Sequence, residues 1–378
     1  MLTAERLLDD PTLPLRDPLQ SPTLAGEFLD RHALGALYPD RELGEVAVLS
    51  FAYTPGRKCV GLYAVRLRGD PPGGPRWAAM THARDDRLER VHTTGRRGGA
   101  PCAVYVSEHR CLVEPFPTDS DLPTLARALD AAAVALRADD RAPARADGNL
   151  RPPSAVEVLR HCPHEKCVLR YDGLFAPAVD VIGKVYPSAA KALDVGRKLA
   201  TLHAPAAARG FRVPRKFDVL ADWNLLLMEA LRGRSVKRVL QSDTPAEAER
   251  AARAAARALA GLHGLHMASD ERRSLTTELD RVRKRTMRLP PVAPLLADEV
   301  DRVMRRLAAP LLACADERTC LIHADYKPSQ LLVEDDRVGM VDFYRACLGD
   351  PALDVGRFMA QCRKEAVLVG RDELRATA

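Results

Sequence analysis

Apolar residues in this chain recur with two different periods, and the changes between them mark its elements. Alternation with β-branched residues predicts a strand over Val179 to Tyr186 and another over Trp77 to Ala83. Recurrence at helical spacing, with Leu193, Leu199 and Leu202 on one face, predicts a helix over Ser188 to His203. Alanine-rich stretches predict two more helices, Thr124 to Ala138 and Pro245 to His263, the latter with Leu259 and Leu262 near its end. Leu225-Leu226-Leu227-Met228-Glu229 reads as a buried strand that ends in a turn at Gly233. Further on, Leu331-Leu332-Val333 and Val338-Gly339-Met340-Val341 flank the turn Glu334-Asp335-Asp336-Arg337 and predict a hairpin, preceded by the apolar pair Leu321-Ile322.

The first half contains a repeat. Pro55-Gly56-Arg57-Lys58-Cys59-Val60-Gly61-Leu62-Tyr63 and Pro163-His164-Glu165-Lys166-Cys167-Val168-Leu169-Arg170-Tyr171 share the pattern P-x-x-K-C-V-x-x-Y at a constant offset of 108 residues, and Ala47 and Val48 fall on Ala155 and Val156 without a gap. Each copy reads as strand, turn, strand and a third strand. Matching the third strands by apolar pattern sets Met80 against Lys184. Between the copies, Asp139 to Pro153 has the charged, Gly- and Pro-containing composition of a linker, and 69–75 and 94–99 read as loops.

Composition narrows the class without fixing the function. At 378 residues the chain suits two or three domains. No apolar run approaches membrane-spanning length and Met1-Leu2-Thr3-Ala4-Glu5-Arg6 lacks the order of a signal peptide, so a cytoplasmic protein with no membrane partner is expected. Nine cysteines without C-x-x-C spacing predict reduced thiols. His161, Cys162, His164 and Cys167 are four possible metal ligands in seven positions, but strand alternation sends the two cysteines to opposite faces unless the turn at Pro163 redirects one. The net charge of +6 is spread over helical segments such as Arg281 to Arg285 and Arg302 to Arg306 that also contain acids, and aromatics are only 5%; solvated helix faces are expected there and no nucleic-acid partner.

The chemistry concentrates in Cys320 to Gly356. Moving a γ-phosphoryl group requires a carboxylate at the attacking hydroxyl, a metal ion on the phosphates and positive charge at the transferring oxygens. Asp325 is placed to orient or deprotonate the acceptor, Asp342 to hold magnesium, and Lys327 to neutralise charge on the γ-phosphate. Gln330, five residues after Asp325, stands where a side-chain oxygen would reach the metal.

The order of these residues, with Gly349-Asp350-Pro351-Ala352-Leu353-Asp354 following Val341-Asp342-Phe343, resembles the aminoglycoside phosphotransferase and choline kinase family of the protein-kinase-like fold over roughly the last 220 residues. The resemblance implies an α+β, bilobal kinase-like fold with an antiparallel-sheet small lobe at 151–231 and a mainly helical large lobe at 232–378, preceded over 1–150 by a degenerate small-lobe-like domain and linker. It implies ATP and Mg2+ as cofactors. Lys184, on the strand that resembles the third of the small lobe, would contact the α- and β-phosphates, and Asp194, the acid available on the following helix, would pair with that lysine. The adenine would bond to backbone at Glu229 and Leu231, in the segment that resembles the hinge.

Departures from the family pattern qualify the acceptor and the metal. Ala324 replaces a usual glycine, tolerable where the backbone is not left-handed. Gln330 stands for asparagine, and Tyr344 stands where relatives often carry another acid. Only 24 residues follow Asp354, fewer than relatives usually carry, so the acceptor side is expected to be open and completed by the N-terminal domain, a second copy or a partner protein. Three functions follow: phosphoryl transfer to a hydroxyl of a small molecule such as an aminoglycoside, sugar or amino alcohol, transfer to Ser or Thr of a peptide in natural-product biosynthesis, and non-catalytic binding or scaffolding.

Overall fold

The computed structural model describes residues 10–70, 76–84, 86–89, 103–139, 155–174, 180–242, 244–269, 271–313 and 319–368. The expected linker over 139–153, the two expected loops at 69–75 and 94–99, and the segment after Leu368 lie wholly or largely outside the described residues.

The first strands are β1 (Leu43–Thr54), β2 (Lys58–Leu67), β3 (Arg76–Ala83), β4 (Val104–Val106) and β5 (Cys111–Pro115). They form a sheet in the order β1-β2-β3-β5-β4. The next group is β6 (Val156–Cys162), β7 (Lys166–Tyr171), β8 (Val181–Val185), β9 (Phe211–Arg212), β10 (Lys216–Leu220) and β11 (Leu225–Glu229). All of these but β9 make a second sheet, in the order β10-β11-β8-β7-β6. The remaining strands are β12 (Arg234–Ser235), β13 (Arg272–Arg273), β14 (Cys320–Ile322), β15 (Leu331–Glu334), β16 (Arg337–Met340) and β17 (Cys347–Gly349), forming the small sheets β12-β15-β16-β9 and β13-β17-β14. The expected C-terminal hairpin is β15 and β16, antiparallel with Val333 opposite Val338.

The helices begin where capping groups satisfy their first amides. Ser188 accepts from the Lys191 N–H and starts the helix Ala189–Ala208. Its buried stripe is Ala192, Val195, Gly196, Leu199, Leu202 and Ala206; Leu193, expected on that face, is exposed. The helix also runs past the expected end at His203 and through Pro205, with Ala206 fully buried. Helix Pro245–His263 has the expected bounds. A capping box between Thr244 and Glu247 and a proline in its first turn fix the start, and Ala248, Ala251, Ala255, Ala258, Leu259 and Leu262 bury one face. The basic runs in helices Leu275–Thr286 and Pro294–Ala313 are exposed and laced with ion pairs, Arg283 to Asp280 and Arg305 to Asp301 among them. Among the described residues, no helix is long and apolar enough to cross a membrane.

Two compact units divide the chain, and their limits differ from the expected boundary at 150. One unit contains Met1–Arg127, Arg160–Cys167 and Asp280–Pro310, and the other Ala128–Leu159, Val168–Leu279 and Leu311–Ala378. The second unit thus begins before the linker, because helix Ala131–Asp139 is tied into it: Arg137 pairs with Asp222 at 2.8 Å, and the Tyr171 hydroxyl donates to the Ala128 carbonyl at 2.5 Å. The tip of the β6–β7 hairpin groups with the first unit. There Asp119 accepts from the His164 N–H at 2.9 Å, and the His164 ring lies 2.8 Å from the Thr81 hydroxyl.

The two larger sheets agree in more than strand order. At the turn of each hairpin one residue is left-handed, Gly56 at φ 64° and His164 at φ 65°. In both, an aspartate captures that residue's N–H: Asp10 at 2.8 Å from Gly56 and Asp119 at 2.9 Å from His164. Each aspartate also accepts from the amide two residues on, that of Thr12 or Asp121, and each precedes a buried leucine and a proline, in Asp10-Pro11-Thr12-Leu13-Pro14 and Asp119-Ser120-Asp121-Leu122-Pro123. The tyrosines that close the repeated pattern are fully buried, Tyr63 donating to the Leu19 carbonyl and Tyr171 to that of Ala128. Cys59 and Cys167 are likewise fully buried. The sequence pattern therefore marked the middle of a longer correspondence that begins at Asp10 and Asp119.

Candidate phosphoryl-transfer site

The second unit brings Asp325 and Asp342 to the same side-chain nitrogen of one glutamine. Gln330 Nε2 donates to Asp342 Oδ2 at 3.0 Å and lies 3.4 Å from Asp325 Oδ2. Gln330 sits in the short 3-10 turn Pro328–Gln330, just before β15, and Asp342 follows β16, so the hairpin sets their separation. As oriented, the amide nitrogen faces both carboxylates, and an amide that served a cation through its oxygen would have to turn over.

Cations surround the pair. Lys184, on β8, approaches Asp342 Oδ1 at 3.3 Å; both side chains are nearly buried. Lys327 donates to Asp325 Oδ2 at 2.8 Å, and Arg357, on helix Ala352–Leu368, lies 3.2 Å from Asp325 Oδ1. The Asp325 end is the more open, with Lys327 and Arg357 about one-third exposed. Three cations around two carboxylates leave an excess of positive charge, which suits a polyanionic ligand.

The backbone around the carboxylates is held in sparsely populated conformations. Asp342 is left-handed at φ 72° and Ala324 at φ 58°. Ala324 thus lies in the left-handed region, the case in which alanine in place of glycine is strained. What holds it there is Asp354, fully buried, whose carboxylate accepts from the His323 N–H at 2.7 Å and the Ala324 N–H at 2.8 Å, with the His263 Nε2 at 3.2 Å. Burial pushes the His323 imidazole down, so it is neutral, and its Nε2–H donates to the Val341 carbonyl at 3.0 Å. Tyr326, also fully buried, ties the loop to helix Pro245–His263 through the Ala255 carbonyl at 2.7 Å.

Other expected residues sit elsewhere. Asp194 meets Lys198 at 2.9 Å and Arg197 at 3.8 Å; the carboxylate that meets Lys184 is Asp342. An aspartate is too short to reach inward from a half-exposed helical position, and Lys198, one turn on, is its natural i,i+4 partner. Glu229 ends β11 opposite Val181, with its backbone N–H donating to the Arg215 carbonyl and its carboxylate accepting from the Arg215 N–H. Leu231 is half-buried beyond it, ahead of Gly233 at φ 127°, where a Cβ would stand 2.7 Å from the Val333 carbonyl oxygen. Tyr344 carries Lys191 over its ring at 4.6 Å and accepts from Lys198 at its carbonyl, at 3.3 Å. Arg357 and the Asp354 clamp were not among the site residues expected from sequence. Arg357 lies 32 positions from its partner and carries no local signal.

A cavity of about 720 Å³ opens between the helices Pro245–His263 and Ala352–Leu368, lined by Ala252, Ala256, Leu259, Phe358 and Met359 among others. The paired carboxylates do not line it, and Arg357 leaves its helix on the opposite face.

No curated protein matches the chain. The chain is similar to the crystal structure of an aminoglycoside-3'-phosphotransferase of type VIII, at 20% identity over 66% of this chain and 88% of that one with a TM-score of 0.41. A choline/ethanolamine kinase family protein from Mesorhizobium loti is similar at 18% identity over 64% of this chain and 73% of that one, TM-score 0.42. A macrolide 2'-phosphotransferase from Brachybacterium faecium is similar at 19% identity over 66% and 82%, TM-score 0.37. Residues 176–377, more than half of the chain, match the model of the phosphotransferase enzyme family. The match takes in Lys184, both carboxylates and the residues that hold them, and the chain belongs to that family.

Proposed function

We propose that the second unit transfers the γ-phosphoryl group of ATP, with Mg2+, to a hydroxyl group of a small molecule. The observation that carries this reading is the convergence of Asp325 and Asp342 on Gln330 with Lys184 against Asp342. Lys184 binds the α- and β-phosphates at the buried end of the site. Asp342, with Gln330 once its amide is turned over, would supply the oxygen donors a hard cation takes, and that ion would shield the phosphate oxygens. Asp325, at the open end, accepts the hydrogen bond and then the proton of the acceptor hydroxyl as its oxygen bonds to phosphorus; the bond from phosphorus to the bridging oxygen breaks and ADP leaves. Lys327 and Arg357 hold the Asp325 carboxylate in place, and Lys327 is near enough to turn toward the transferring group. Glu229 and Leu231 offer backbone groups to the adenine. With Tyr344 at the position where an extra acid would stand, Asp342 provides the carboxylate for a single ion.

ATP with Mg2+ is expected to raise the melting temperature of the protein, corresponding to about 2.7 kcal/mol when the nucleotide is at a hundred times its dissociation constant. Asp325→Asn is expected to lower transfer by about 10²- to 10⁴-fold while leaving that shift in place. Absence of any shift at millimolar ATP would remove nucleotide binding from the proposal. Transfer at a near-normal rate in Asp325→Asn would remove the assigned role of that carboxylate.

For the first unit, we propose a degenerate copy of the small-lobe sheet that binds no nucleotide. Support comes from the shared strand order and the matched aspartate clamps, together with Met80, fully buried on β3 where the second copy has Lys184.

A further inference from the structure

The first unit contains a group of side chains that neither phosphoryl transfer nor the sheet requires. His32 lies in a single π-helical turn, Asp30–Leu34, that follows the helix Pro22–Leu29. Such turns widen a helix by one residue and recur at functional sites. Glu108 and His109 come from the 3-10 turn Ser107–His109 between β4 and β5, which is closed by Arg110 in the left-handed region at φ 45°. The three side chains converge although their segments are distant in sequence. His32 Nδ1 is 3.2 Å and His109 Nε2 3.6 Å from the same carboxylate oxygen, Glu108 Oε1, and each residue offers an atom within 4.8 Å of the other two.

The two separations from Glu108 Oε1 are close to those between ligands around a small ion. Metal–ligand bonds of about 2.0–2.1 Å in a tetrahedral site put neighbouring ligand atoms ~3.3 Å apart. The 3.6 Å contact is too long for a hydrogen bond but suits an edge of that tetrahedron. Two imidazoles and one carboxylate are the donor set of Zn2+ rather than of Mg2+ or Ca2+, which take oxygen donors. The rings are also held in position: Phe28 packs against His32 at 4.8 Å and His109 at 5.4 Å between centroids, an apolar wall on one side of the site. Glu108 is largely exposed and His109 partly so, which leaves a path for the ion from solvent.

We propose that His32, Glu108 and His109 form a Zn2+ site, with three protein ligands and a fourth position open to water or to an exogenous donor. The site is independent of the phosphoryl-transfer residues, and the proposal stands whether or not the assigned nucleotide chemistry does.

The test is a zinc titration of the reduced, chelator-treated full chain in excess Mg2+, which occupies hard-cation sites, with Co2+ substitution as a spectroscopic readout. The wild-type protein is expected to take up a zinc equivalent that His109→Ala and Glu108→Gln each lose or bind at least about ten-fold more weakly. Both variants alter partly or largely exposed positions, and their melting temperatures without zinc are expected to match the wild type. Cobalt is expected to give the visible bands of a tetrahedral nitrogen and oxygen site without the charge-transfer band of a thiolate. Unchanged zinc stoichiometry and affinity in the His109→Ala, Glu108→Gln double variant would overturn the proposal, as would a cobalt spectrum dominated by thiolate.

Discussion

Ala324 shows how much one position depends on its surroundings. A left-handed alanine costs roughly 1–2 kcal/mol, and here the φ of 58° is imposed by Asp354, whose carboxylate takes the amides of both His323 and Ala324. Removing that carboxylate leaves two buried N–H groups without an acceptor and releases the loop that carries Asp325. Asp354→Ala is accordingly expected to destabilise the second unit by about 3–5 kcal/mol, read from a denaturant midpoint, and to lower transfer more than ATP affinity. At this scale residue type and order singled out Asp325, Lys327, Asp342 and Lys184, and the fold brings them into one cluster with Gln330. The sequence misassigned Asp194 because spacing along a helix does not tell which face is turned inward. It overlooked Arg357 because a contact across 32 positions leaves no local trace.

The β6–β7 hairpin depends on a buried polar group drawn from another element. Its tip residues His161 and His164 lie among Asp119, Asp121 and Glu114, the last on β5. Burial, reinforced by the negative charge of Asp119, pushes the Glu114 carboxyl up to about 8, and burial pushes both imidazoles down. In the folded state Glu114 keeps a proton that the unfolded chain releases above ~4.3, so its effect is a loss of stability as pH rises through 8. The histidines act in the opposite sense, but only below ~6.5, where the unfolded chain begins to bind the protons they refuse. Between pH ~6.5 and 8 Glu114 sets the sign. The melting temperature of the wild type is expected to fall by a few degrees across that interval, and Glu114→Gln to flatten the fall. A wild-type profile that rises there would show that Glu114 is ionised in the fold. Element boundaries were largely legible, as the unchanged limits of helix Pro245–His263 show, because alanine propensity and a capping box act locally.

Across the whole molecule, the boundary at 150 was drawn from linker composition, whereas contacts draw it at 128. Helix Ala131–Asp139 belongs to the phosphotransferase unit, tied in through Ala128 and Arg137. Asp119 in turn holds the tip of the β6–β7 hairpin. A chain starting at residue 119 is therefore expected to keep the ATP-induced rise in melting temperature, and one starting at 151 to be less stable and to lose most of it. Equal behaviour of the two would show that the segment between them does not support the nucleotide-binding fold. The membership of Arg160–Cys167 in the first unit had no signal in the linear pattern, since a strand's period does not record which unit its turn is packed in.

The sequence by itself determined the class of reaction and most of the elements, and it carried the repeated nine-residue pattern, because each rests on residue type, order and local periodicity. Tertiary structure alone decided that Asp342 rather than Asp194 meets Lys184, that Gln330 bridges the two carboxylates, and that Asp354 forces Ala324 into a left-handed turn. It also brought His32 to Glu108 and His109. Those arrangements depend on distances between segments far apart in the chain, which are set by packing and by the satisfaction of buried polar groups.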